Sequence, residues 1–158
     1  MHPSWRRAHR GATLGRPAPV LLSRPGGPAR WTAPDYRREL VVEPMLASVG
    51  AARREIRSAV TPMAPDGAER AADCGSELVA NAVLHGASPI VLTVLVATDH
   101  VLVGVEDGSR TPPSPRTSGP CDPGGRGTLI VDRLADRWGV DFLPHGKRVW
   151  CLIVVPVH

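Results

Sequence analysis

Two valine-rich runs with only three residues between them constrain this chain more than any other feature. Ile90–Ala97 and Val101–Glu106 are separated by Thr98-Asp99-His100, and Val101, Val103 and Val105 fall on one face of the second run. A connection that short cannot carry a parallel crossover, which needs roughly a dozen residues, so the two strands pair antiparallel. The same reasoning joins Gly139–Leu143 to Arg148–Val155 around a turn at Pro144–Lys147. A sheet with an apolar face must bury it against another layer.

That layer is available. Leu46–Val60 has helical spacing, with Leu46, Val49, Ile56 and Val60 among its apolar positions and Arg53, Arg54, Glu55 and Arg57 mostly opposite. A second helix is predicted from about Ala68 to Leu84, with Asp66 as N-cap, Glu69 as its capping-box partner and Gly86 as C-cap. Gly127–Trp138 returns to helical spacing through Ile130, Leu134 and Trp138. Glu39–Val42 suits a short strand stopped by Pro44. Between Gly108 and Gly125 lie five prolines and no periodicity. A loop of about 18 residues is long enough to be functional or disordered. The fold class is therefore α/β, more narrowly an α+β two-layer sandwich: a mostly antiparallel sheet covered on one face by helices.

Composition sets the boundaries. A chain of 158 residues suits one domain with an extension. Residues 1–38 carry eight arginines against one acid, Asp35, whereas the rest carries 11 basic and 14 acidic groups. The body is mildly acidic and only the tail is basic. Prolines and glycines without a period continue to Pro34, so the chain divides into a disordered basic tail over 1–37 and a folded domain over 38–158. A basic tail alone is a weak polyanion binder, and the acidic body argues against a nucleic-acid function. Three cysteines without a CxxC pair support neither a disulfide framework nor a zinc ribbon. Cys74 and Cys151 lie in apolar stretches and read as small buried hydrophobes. No run approaches the ~20 apolar residues of a membrane span. The expectation is a soluble cytoplasmic protein.

Three polar constellations stand out. Glu77, Asn81 and His85 fall at steps of four on the second helix, and each step turns it by about 400°, so they form one slowly drifting stripe. Leu78, Ala82 and Cys74 beside it must face the core. An acid at the margin of an apolar face needs partners, and a ligand in a cleft would supply them. A carboxylate there can act as general base, and an Asn carboxamide oxygen suits Mg²⁺ when phosphates complete the shell. Asp107-Gly108 ends the second strand with Asp107 on the helix-covered face, where a carboxylate can accept a hydrogen bond from an exocyclic amine; a plain Asp-Gly turn would have the same sequence. Gly124-Gly125-Arg126-Gly127 closes the long loop and opens a helix, whose free N–H groups favour an anion. It lacks the GKS or GKT of a P-loop, and no βαβ unit precedes it.

In this order, the segments Glu77–Gly86, Val105–Gly108 and Gly124–Gly127 resemble the N, G1 and G2 boxes of the GHKL ATP-binding superfamily, and within it the anti-sigma-factor serine/threonine kinases. Val131–Gly139 and Gly146–Trp150 add to the resemblance, which spans about residues 40–155. It implies a Bergerat-type pocket holding ATP and Mg²⁺. Glu77 would activate the nucleophile, Asn81 would hold Mg²⁺ and Asp107, followed by Gly108, would take the adenine amine. Gly124, Gly125, Arg126 and Gly127 would cover the phosphates. The implied partners are a sigma factor and a small anti-sigma antagonist, with a homodimer common in this branch. The chain departs from the family in two places: Ser109 and Thr111 stand where the G1 glycines are usual, and alignment of the last strand puts Arg148 where a threonine often faces adenine. The first departure motivates a second reading, a non-catalytic ATP-binding or partner-binding module of the same fold.

Overall fold

Five strands and three helices make up the computed structural model, which describes residues 34–111 and 126–158, with the backbone alone for 126–129. The order is β1 (Tyr36–Val42), α1 (Ala47–Val60), α2 (Pro65–His85), β2 (Ile90–Val96), β3 (His100–Asp107), α3 (Arg126–Leu134), β4 (Arg137–Leu143) and β5 (Gly146–Val154). The sheet runs β1-β2-β3-β5-β4, and every neighbouring pair is antiparallel. Both hairpins expected from short connections form: β2 with β3, and β4 with β5. The expected tail over 1–37 falls largely on residues 1–33, outside the described residues, as does the proline-rich stretch 112–125.

The alternation of the strands decides which face is buried. Leu40, Val42, Leu92, Val94, Val101, Val103, Cys151 and Ile153 point to one side and pack with Ile56, Val60, Ala72, Leu78 and Val79 of the helices. The opposite face carries a smaller cluster of Leu102, Trp150 and Leu152. Cys74 of α2 and Cys151 of β5 are free buried thiols. The hydrogen bond that Cys151 donates to Cys74, together with burial, pushes the Cys151 thiol well above the usual thiol range.

Several boundaries differ from the sequence reading. β1 begins at Tyr36, three residues earlier than the apolar run suggests. Arg38 points inward at that end and pairs with Glu55 of α1 at 2.8 Å, so a charged residue occupies a position that periodicity assigns to an apolar one. Helix α2 starts at Pro65 with Ala64 as N-cap, and Asp66 makes no cap hydrogen bond. Proline at the first helical position brings the right φ and lacks only an N–H that would be unpaired there anyway. Asp66 sits instead in the first turn, where its charge suits the helix dipole. Helix α3 stops at Leu134 rather than Trp138. Arg70 of α2 donates to the Leu134 carbonyl at 2.8 and 3.1 Å and to Asp136 at 2.8 Å, fixing the helix end so that Arg137 and Trp138 can enter β4.

Candidate functional site

Helix α2 and the end of β3 build the site. Glu77 and Asn81 are half-buried on α2, four residues apart, while Leu78, Val79 and Ala82 beside them are buried. Burial raises the Glu77 carboxyl above the ordinary carboxylate range, and the negative charge of Asp73 one turn earlier adds to it. No described residue hydrogen-bonds the side chain of Glu77 or Asn81. His85 ends the helix and is exposed.

The helix then runs into β3. Gly86 is the C-cap, with an extended backbone rather than the left-handed turn common at helix ends. Its lack of a side chain matters for another reason: a Cβ there would lie 2.8 Å from Asp107 Cγ and 2.6 Å from the Ala82 carbonyl oxygen. One residue further on, the Gly108 amide donates to the Ala87 carbonyl at 2.6 Å. These contacts bring the C-terminal end of α2 against the acid that the strand alternation places on the helix side. The sequence-predicted Glu77–Gly86 and Val105–Gly108 segments therefore meet in space.

Asp107 is not an open acceptor. Its side chain and that of Lys147 are 2% and 6% exposed, and the Lys147 ammonium lies 3.0 Å from Oδ2 and 3.1 Å from Oδ1. Oδ1 also accepts the Ser109 N–H at 2.7 Å, and Lys147 reaches the Ser109 carbonyl at 3.5 Å. The pairing Asp107↔Lys147 between β3 and β5 puts both side chains on the helix-covered face. Gly146 makes the approach possible: its φ is +156°, and a Cβ would collide with the Asp107 carbonyl oxygen.

Lys147 is the residue that the sequence reading misses, because Pro144–Lys147 has the composition of a turn before the last strand. The available signal is modest: Lys147 is the only lysine of a chain with 18 arginines. The same register corrects the place of Arg148. It faces the other side of the sheet, where its Nε donates to Glu106 Oε1 at 2.9 Å, and Val149 takes the helix-side position next along β5. Arg148 is therefore not beside the base position. Of the third constellation, Gly124 and Gly125 lie outside the described residues, and Arg126 and Gly127 form the first turn of α3.

Asn81 and Glu77 carry oxygen donors of the kind Mg²⁺ accepts, and both side chains stand unpaired among the described residues. No group of three or more described His, Cys, Asp and Glu residues could hold a metal by itself, so a cation here would need oxygens from its ligand. No helix among the described residues is long and apolar enough to cross a membrane.

No protein-family model and no curated protein matches the sequence. Solved structures do, in 15 chains. One contains the RsbU and RsbW domains of Rv1364c from Mycobacterium tuberculosis, with a TM-score of 0.56 and 16% identity over 78% of this chain and 33% of that one. This chain thus spans a third of the length of that solved chain. Another is the histidine kinase domain of the blue-light activated histidine kinase of Erythrobacter litoralis EL346, with a TM-score of 0.43 and 22% identity over 71% of this chain and 60% of that one. The likeness at 0.56 is one of fold alone; the fold itself, a five-stranded antiparallel sheet with helices on one face, is the two-layer arrangement expected from the sequence.

Proposed function

We propose that this chain is a Mg·ATP-binding regulator, an anti-sigma-factor serine/threonine protein kinase that phosphorylates a small antagonist protein. The observation that carries the proposal is the linear order of the site. Asp107 touches the helix at Gly86. At 1.5 Å per residue, Asn81 lies roughly 7–8 Å and Glu77 roughly 13 Å back along α2 from that contact. An extended nucleotide has the same sequence of needs: an acceptor for the base, a cation ligand at the phosphates, and a base for the attacking hydroxyl beyond them.

Bound Mg²⁺ and ATP would supply the transferable phosphoryl group and neutralise its charge. The chain's residues do the rest. Asn81 offers its amide oxygen to the cation. Glu77 accepts the serine proton, and its raised carboxyl brings it nearer the working pH of a general base. Helix α2, fixed to β3 and α3, holds both groups in place, so positioning accounts for much of the effect. Gly124, Gly125, Arg126 and Gly127 are proposed to cover the phosphates. A sigma factor and the antagonist protein are the proposed partners.

Transfer of labelled phosphate from ATP to a purified antagonist protein tests this reading. It predicts transfer by the wild-type chain and almost none by Glu77→Gln. Undiminished transfer by the variant removes Glu77 from the chemistry. One observation favours the second reading, a non-catalytic partner-binding module: Asp107 is already engaged by Lys147. Stoichiometric partner binding without any phosphate transfer is what that module would show.

A further inference from the structure

Resting on the nucleotide reading above, we infer that Lys147 sets the occupancy of the base seat: its ammonium holds the Asp107 carboxylate that an adenine amine would need. The pair is nearly out of solvent, and the ammonium contacts both carboxylate oxygens, at 3.0 and 3.1 Å. Oδ1 carries a further bond from the Ser109 amide, and Oδ2 faces the end of α2 at Gly86. Little acceptor capacity is left on Asp107.

The competition is unequal. Lys147 makes charge-assisted bonds, whereas an adenine amine is a neutral donor. Adenine cannot simply be added, because an ammonium displaced within the buried site would lose its partner there. It enters only when the lysine stem has swung out to water. The apparent affinity is then the intrinsic affinity scaled by the fraction of molecules in that open state. Lysine suits this role better than arginine, because its compact charge sits on a flexible stem and can be withdrawn without breaking a planar fork. Removing the lysine should therefore tighten adenine binding. A Lys147 that contacted the nucleotide directly would have the opposite effect, and its removal would weaken binding.

Calorimetric titration of the full chain with ATP and Mg²⁺, repeated with AMP and with inorganic tripolyphosphate, separates these cases. Lys147→Met and Lys147→Thr are predicted to bind ATP and AMP at least tenfold more tightly than wild type. Lys147→Arg, which keeps the charge, should show no gain, and tripolyphosphate should show none with any variant. The threonine hydroxyl is a neutral donor beside Asp107, so Lys147→Thr serves if Lys147→Met does not melt cooperatively. Equal or weaker adenine binding by a folded variant overturns the inference and leaves the nucleotide site standing. A gain with tripolyphosphate also overturns it, since the effect would then not lie at the base. Absence of ATP binding in every protein overturns the nucleotide reading and this inference with it.

Discussion

Glu77 and the Asp107–Lys147 pair show how differently two sets of carboxylates are treated within one site. Glu77 is half-buried, with no cation partner among the described residues and with Asp73 nearby, so its acid form is favoured. Between the ordinary carboxylate range and its raised value the folded chain binds more protons than the unfolded one, and stability falls as pH rises through that window. Glu77→Gln should lose this fall and melt at a higher temperature than wild type at neutral pH, while phosphate transfer drops by about 10²-fold or more. Thermal melts across pH, read beside a transfer assay, check both halves. Asp107 is buried and paired. Removing one partner leaves an uncompensated charge, so Asp107→Ala or Lys147→Ala should each destabilise by about 3–5 kcal/mol. The double substitution Asp107→Leu/Lys147→Met should recover most of that loss. Denaturant unfolding of the three variants measures it, and additive losses would show that the pair is not coupled.

At the scale of elements, the end of α2 against β3 is the critical junction. Gly86→Ala places a methyl group within 3 Å of both Asp107 and the Ala82 carbonyl. Overpacking of this kind costs about 1–3 kcal/mol, and the shifted helix end should also weaken nucleotide binding. Chemical denaturation and an ATP titration of this variant test the two effects together. Most elements were legible in the sequence, since Ile90–Val96 and the apolar positions of α1 and α2 follow simple periods. The errors have local causes. Ile130, Leu134 and Trp138 keep helical spacing across a real break, because the device that ends α3 is a guanidinium from α2, 64 residues earlier in the chain. The inward Arg38 at the start of β1 is paired by Glu55 of another element, which no local pattern reveals.

For the molecule as a whole, alternation placed Asp107 on the covered face, and helical spacing placed Glu77 and Asn81 on one stripe. The contact between the end of α2 and β3 sets Asp107 against that helix, and the sheet order, in which β5 lies between β3 and β4, adds a residue that neither pattern contains. That long-range pairing is what brings Lys147 onto Asp107, and no motif within either strand encodes it. The likeness to the structure that contains the RsbW domain of Rv1364c concerns this architecture, so the chemistry rests on the chain's own side chains. The most direct test is a titration of the wild-type chain and Lys147→Met with ATP, with and without Mg²⁺, beside each protein carrying Asn81→Ala. ATP binding is expected to depend on Mg²⁺, to be tighter in Lys147→Met and to be lost with Asn81→Ala. No Mg²⁺-dependent binding in either protein, or binding indifferent to Asn81, would contradict the proposed function.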